Sequence, residues 1–503
     1  MKTAAWVLIG AAAGLYICGS LVDVDLWWHI VVGRWILHHH SLPTVDLWNY
    51  YSSGEPWRAY SWSNEVVYAW ADAAYGTTGL LTCKAALAVV LSLVLCLCFS
   101  KVAQDYIVGA LLGVVATAAC YAHFVLRPQT LTWVLFALAI LIGENIYRNG
   151  PKAKSLAAIF AVFVVWANTH LSAIVGICFL LVWVGRYRER PFRIKPILLV
   201  LAAAFAGTLV TPYFGGEWLT LAGKVSHPLT HRNIVEFRAA TFADFSAAFL
   251  ILLLILLLRL VHERPAALEL PVLAAGSMLA YGGLAVMKFL PFGYIVLAAM
   301  IARYWREESE TIASADLPGL GDALLKLRVL LARLPTAVFA LLALLVIAQK
   351  LLELNEERVR PGAFPEAAVS FLQNHDLGEK VSNVFGDGGY LIYSFSNSEG
   401  SPKHKVVVDG RTNVNSPDVV EAYQEALYGR ADWSKYLEFG NDVVLWRSKW
   451  PLASILEEHP DWCRVYFDGG VSSGWSVFLH VRRVQSLKDI EPRFCRISTD
   501  GAA

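Results

Sequence analysis

Asp23 and Asp25 stand two residues apart in the run DVDLWWHIVVGRWILHHH, and a helix starting near Asp25 puts His29 one turn on, on the same face. Two acids beside Trp27 and Trp28, with a histidine a turn away, are the ingredients of a general base, or of a carboxylate pair holding a divalent metal such as magnesium or manganese. The plainer alternative for Asp25 is an N-cap, a position that Asp fills well. Glu65 follows Ser61, another good N-cap, so its plainer reading is a carboxylate that complements a helix dipole.

A second set is basic. Lys288 is the one charge in the 32 residues from Pro271 to Ala302, and Arg127 precedes Pro128 at the start of another apolar run. An ion in an apolar stretch is a functional hypothesis by default, although snorkelling to lipid headgroups is the alternative. Arg and Lys are the usual phosphate partners, so Lys288 and Arg127 are candidates for clamping a lipid phosphate. Asn168 and His170 in WANTH, and His227, His231, Glu236 and Arg238 between residues 213 and 244, are further polar groups near apolar helix ends that could touch a substrate.

The elements that must carry these residues are membrane helices. The chain has 503 residues, 56% hydrophobic and only 17% charged, which is too apolar to cover a water-soluble surface; nothing suggests a nucleic-acid partner. A hydrocarbon core needs runs of about 20 apolar residues. Such runs lie near 4 to 22, 77 to 100, 105 to 122, 129 to 147, 155 to 170, 171 to 185, 196 to 212, 245 to 260, 269 to 286, 288 to 302 and 329 to 352. The first is read as a retained helix rather than a signal peptide, since no small-residue cleavage site precedes Asp23. With Lys2 inside, alternate loops collect Lys101, Arg148, Lys152, Lys154, the arginines of 186 to 193, Arg259, Arg303 and Arg328, a sustained positive-inside bias. The stretch around Lys288 is read as a hairpin, because a single helix there would be roughly 48 Å long.

The expected fold is therefore an α-helical polytopic membrane protein of about eleven spans. Residues 1–353 form the membrane domain with a first outer loop at 23–64, 354–364 a linker, and 365–503 an α/β domain of alternating strands and helices outside the cytoplasm. Seven tryptophans between residues 27 and 70 suggest that the first outer loop lies in the membrane interface as juxtamembrane helices. Cys463 and Cys495 are the only cysteines of the exported domain and are expected to pair.

Segments in DVDLWWHIVVGRWI, GEPWRAYSWSNEVVY, RPQTLTWVLFAL, WANTHLSAIVG, TPYFGGEW with NIVEFR, MKFLPFGYIVLA and VVVDGRTNV resemble, in order, those of bacterial membrane proteins similar to the GT-C glycosyltransferase superfamily. The resemblance covers nearly the whole chain. It implies transfer of a sugar from a polyprenyl-phosphate carrier to a glycan, lipid or protein acceptor at the outer face of the bacterial inner membrane. Asp25, with Asp23, matches the acid of the first outer loop. Related proteins usually have arginine in the MKFLPF position and glycine after WANTH, where this chain has Lys288 and Leu171. The alternative is a non-catalytic scaffold or assembly chaperone that meets another membrane protein through its C-terminal domain. A transporter is disfavoured, since no inverted repeat is visible.

Overall fold

The computed structural model describes residues 2–185, 194–225, 239–241, 245–263, 269–311, 320–333, 336–377, 379–411, 414–438, 442–469 and 474–484. In chain order the helices are α1 (Lys2–Ile17), α2 (Leu26–His39), α3 (Trp62–Ala103), α4 (Tyr106–Ala119), α5 (Pro128–Asn149), α6 (Ala153–Ala167), α7 (Ala173–Gly185), α8 (Ile194–Thr208), α9 (Gly216–Val225), α10 (Phe245–Glu263), α11 (Leu270–Ala285), α12 (Leu290–Thr311), α13 (Leu320–Arg333), α14 (Thr336–Glu356), α15 (Glu366–Asn374), α16 (Gly388–Ser394), α17 (Pro417–Tyr428) and α18 (Pro451–Glu458). The strands are β1 (Val381–Asn383), β2 (Val443–Arg447), β3 (Trp462–Phe467) and β4 (Trp475–His480).

Two compact units emerge. One comprises Met1–Leu21 and Thr78–Arg358, the other Val22–Thr77 and Val359–Ala503. The sequence grouped the first outer loop with the membrane helices, whereas its contacts group it with the C-terminal domain. The helix α3 passes from one unit to the other and is broken at Gly76, whose φ of 57° and ψ of −143° are not helical.

The membrane unit holds helices long and apolar enough to cross a bilayer, including the later part of α3, α5, the stretch Met287–Trp305 and α14, together with seven shorter apolar helices. It is a multi-pass membrane architecture. Leu252, Ile255 and Leu258 on α10 and Leu341, Leu345 and Leu352 on α14 point outward, as lipid-facing residues do. The centre is the stretch from Leu290 to Ala302, where almost every side chain is buried. Lys288 lies in the 3-10 turn Met287–Phe289, and beyond it the chain reverses: a Cβ on Gly276 of α11 would lie 2.3 Å from the Met300 sulfur of α12. The hairpin is thus present, and at its open end Arg303 Nη2 donates to Glu269 Oε1 at 3.3 Å.

The second unit has a four-stranded sheet in the order β1-β2-β4-β3, with β1 and β2 parallel and the other pairings antiparallel. The expected strand at KVVVD is only a set of isolated bridges. The reason is competition for its backbone: the Val406 N–H donates to the Trp48 carbonyl, and its carbonyl accepts from the Tyr50 N–H. The Val407 N–H is taken by the Asn383 side chain. The outer loop is therefore stitched into the α/β fold by main-chain hydrogen bonds.

That stitching changes the reading of the tryptophans. Trp27, Trp28, Trp48 and Trp57 are buried in the core of this unit, where Trp27 packs its ring among Phe364, Tyr390 and Tyr393. These four are core residues and not the interfacial anchors expected. A narrower exposed apolar stripe does exist on the first part of α3, where Val67, Trp70 and Ala74 are exposed at helical spacing while Glu65 and Asp72 are buried. A helix apolar outside and polar inside suits a membrane boundary.

Cys463, buried on β3, is disulfide-bonded, while Cys18, Cys83, Cys96, Cys98, Cys120 and Cys178 are free. Its expected partner Cys495 lies outside the described residues. Alkylation of the unreduced, unfolded protein should leave both Cys463 and Cys495 unlabelled until a reductant is added; two labelled thiols there would end the proposed pairing.

Candidate functional site

The start of α2 separates the two aspartates. Asp23, nearly fully buried, accepts from the Asp25 N–H at 2.7 Å and the Leu26 N–H at 3.2 Å through Oδ1. It satisfies backbone donors that would otherwise be orphaned at the helix N-terminus. Asp25 directly precedes Leu26, the first residue of α2, with helical φ and ψ of −86° and −22°, and its side chain makes no cap hydrogen bond. The capping role that the sequence allowed for Asp25 belongs to Asp23.

The segment 409–411 comes up against Asp25 at Gly410. A Cβ built on Gly410 would lie 1.9 Å from Asp25 Oδ1, so only glycine lets this backbone approach the carboxylate so closely. Arg411 next to it is anchored on two aspartates. Its Nε and Nη2 donate to Asp409 at 2.8 and 2.9 Å, and its Nη1 donates to Asp46 Oδ1 at 2.6 Å. The guanidinium also faces the rings of Trp48 and Trp57, at 5.5 and 5.2 Å from their centroids. Burial works against its charge, but Asp409 and Asp46 more than offset that and hold the guanidinium above its ordinary pKa. Asp46 further accepts from Ser52 Oγ at 2.6 Å, and Asn49 Nδ2 donates to the Val407 carbonyl and to Asp409. The network joins the outer loop to the C-terminal segment directly beside Asp25.

His29 turns its Nδ1 to Glu65. Its Nδ1 lies 3.0 Å from Glu65 Oε1, both groups are buried, and Glu65 Oε2 has no hydrogen-bond partner among the described residues. Close approach of the two helices here needs Gly33, where a Cβ would lie 1.9 Å from the Glu65 carbonyl oxygen. Glu65 lies in the first turn of α3, as its spacing from Ser61 suggested, and is buried there. It precedes the break at Gly76 and belongs to the unit outside the membrane helices. Burial pushes its carboxyl up to about 8, with the Arg411 charge acting weakly the other way.

The raised value has a sign that can be measured. Between the ordinary carboxyl range and about 8 the folded protein holds a proton that the unfolded chain has lost, so stability from this group is full at low pH and falls as pH rises through 8. Glu65→Gln, which keeps the size and a hydrogen-bonding oxygen, should melt with the wild type near pH 5 and increasingly above it towards pH 9, in roughly this window. Parallel melting temperatures across the range would show that Glu65 is ionised throughout.

The polar groups of the membrane unit have other surroundings. The Gln129 Nε2 on the first turn of α5 donates to the Lys288 carbonyl at 3.1 Å, which brings the turn carrying Lys288 against the helix that Arg127 opens. Asn168 Nδ2 donates to the Val164 and Val210 carbonyls, both at 2.8 Å, and so ties together the ends of α6 and α8. His170 Nδ1 accepts from the Ser172 N–H. That is local helix-end work. His227, His231, Glu236 and Arg238 lie outside the described residues.

Among the described residues no three His, Cys, Asp or Glu gather closely enough to hold a metal ion. Asp23 and Asp25, the expected magnesium or manganese pair, have no third such ligand close enough among the described residues, and no step below is routed through a metal. Arg411, Asp46, Asp409 and Gly410 were missed as site residues; nothing in the sequence marked Asp46, and VVVDGRTNV contains the other three.

Comparison with known proteins gives a fold. No family model and no curated protein matches the chain. The chain is similar in structure to an oligosaccharyltransferase of Archaeoglobus fulgidus tethered to an acceptor peptide containing the NVT sequon, with a TM-score of 0.54 at 11% identity over 93% of this chain and 73% of that one. The oligosaccharyltransferase AglB of the same organism, in complex with an inhibitory peptide and a dolichol-phosphate, aligns over the same shares with a TM-score of 0.54 at 10% identity. A complex of the archaeal enzyme with zinc and sulfate gives 0.53 at 11% identity over 93% of this chain and 72% of that one. At such identities the likeness is one of fold: this chain shares the fold of those oligosaccharyltransferases.

Proposed function

We propose that the chain is a glycosyltransferase that moves a sugar from a polyprenyl-phosphate-linked donor to an acceptor at the outer face of the bacterial inner membrane, with Asp25 as general base. The observation that carries this reading is the division of labour at the start of α2, where Asp23 does the capping and Asp25, half-exposed beside Gly410, does not. In the reaction the acceptor hydroxyl or amine gives its proton to the Asp25 carboxylate as its oxygen or nitrogen bonds to the anomeric carbon of the sugar. The bond from that carbon to the carrier phosphate breaks, and its electron pair leaves on the phosphate oxygen. His29 and Glu65 support α2 from behind as a buried pair, a positioning role.

The carrier phosphate is assigned to Lys288 and Arg127, at the turn and helix start that Gln129 joins. Lys288→Met keeps an apolar side chain of similar length, so the protein should fold. Losing one charge-assisted contact of about 1.5–3 kcal/mol should raise the KM for the lipid donor by roughly 10-fold to 100-fold, with a smaller effect on kcat. Unchanged donor dependence would reduce Lys288 to a helix-end anchor. The reaction itself is tested by mass spectrometry of lipid-linked sugars and glycans in cells lacking the protein: the donor should accumulate and one glycosylated product should vanish. Unaltered pools would remove the transferase reading.

A further inference from the structure

The membrane unit contains a groove that the proposed reaction does not use. It is walled by Trp6 and Val7 of α1, Leu93 and Leu97 of α3, Ala110 of α4, Leu141 of α5 and Ala158 of α6, and it encloses about 1270 Å³. That exceeds the roughly 300–1,000 Å³ of a cleft built for a small ligand. Its origin lies in uneven helix packing. A Cβ on Gly109 would fall 2.1 Å from the Ser100 nitrogen, and one on Gly14 of α1 would fall 2.6 Å from the Ala88 oxygen, so α4 and α1 are pressed closely onto α3. The seam towards α5 and α6 has no such closure at this end and stays open.

One end of the groove is basic. Lys101, Arg148 and Lys154 line it, with Glu144 as its one carboxylate. Arg148 is fixed in place, its Nε 2.5 Å from Glu144 Oε1 and its Nη2 donating to the carbonyls of Lys101 and Val102 at 2.9 and 3.1 Å. Lys101 and Lys154 are exposed at the rim. Below the rim the walls turn apolar, and from Lys101 to Leu93 the groove runs along about 12 Å of helix at 1.5 Å per residue. Half of a hydrocarbon core is about 15 Å, so the groove has the depth of a single leaflet.

We propose that this groove binds an anionic phospholipid of the leaflet at its basic end, which is the cytoplasmic leaflet on the orientation given by the distribution of Lys and Arg. The two lysines face the headgroup phosphate as point charges, and the acyl chain lies along Leu93, Leu97 and Leu141. Charge complementarity selects the occupant. A zwitterionic lipid would leave the net positive rim uncompensated, and a soluble anion would leave the apolar walls empty.

The test uses the full-length protein in detergent. Cardiolipin or phosphatidylglycerol should raise its Tm by several degrees more than phosphatidylcholine does, and native mass spectrometry should show a retained anionic lipid. The double variant Lys101→Gln with Lys154→Gln should lose that selective rise. Ala158→Trp, which fills the groove and leaves every charge in place, should lose it as well, and it carries the test alone if the double variant does not fold. Equal stabilisation by phosphatidylcholine, reproduction of the shift by inorganic phosphate alone, or a selective rise that survives Ala158→Trp would overturn the proposal.

Discussion

Asp25→Asn is expected to lower turnover by about 100-fold to 10,000-fold, the range typical of losing a positioned base, while the amount and the melting temperature of the protein stay unchanged. The structural expectation follows from Asp25 making no cap hydrogen bond, so that Asn, nearly as good at an N-cap, disturbs nothing in the helix start. Asp23 should behave in the opposite way. Asp23→Ala removes the acceptor for two backbone N–H groups and should cost about 1 kcal/mol of stability, with activity falling only as far as folded protein is lost. Gly410→Ala gives a third reading, because its new methyl group would occupy the space of the Asp25 carboxylate and push it aside. A large fall in kcat with normal protein levels for Asp25→Asn and Gly410→Ala, against a stability loss for Asp23→Ala, is the expected pattern. Wild-type glycosylation in cells carrying Asp25→Asn at normal protein level would remove the enzyme reading and favour an assembly scaffold of the same fold.

The difference between the aspartates could not be read from DVDLWW, since both are good capping residues and the choice depends on where the chain bends before Leu26. Helices and hairpin were legible for a different reason. Runs of apolar residues longer than a soluble core needs have few alternatives, and Lys288 beside Pro291 interrupts a stretch too long for one span, which is where the chain turns in the structure. The tryptophans misled because their chemistry is compatible with two fates. An indole at a membrane interface and an indole in a soluble core look alike in composition, and only partners distant in sequence decide between them, such as Phe364, Tyr390 and Tyr393 around Trp27. Glu65 was hidden by the same distance. Its spacing from Ser61 describes the helix it starts, whereas its raised pKa comes from burial against α2, 36 residues earlier in the chain.

The Arg411 network was the least visible part, because Asp46 and Arg411 are separated by 365 residues and neither lies in a pattern that marks a site. It also supports the second large expected effect. Arg411→Met should destabilise the unit formed by the outer loop and the C-terminal domain by about 3–5 kcal/mol, the usual consequence of removing one partner from a buried charge network. The loss exceeds that of the contacts removed, since Asp46 and Asp409 would remain as buried carboxylates with no cation between them. Replacing all three residues, Arg411→Met with Asp46→Asn and Asp409→Asn, removes the stranded charges and should recover a large part of the loss. Denaturant unfolding followed by the fluorescence of the buried tryptophans measures both. A deficit that is small and unaffected by the two Asn substitutions would mean that water reaches the network and that Gly410 is held beside Asp25 by other contacts.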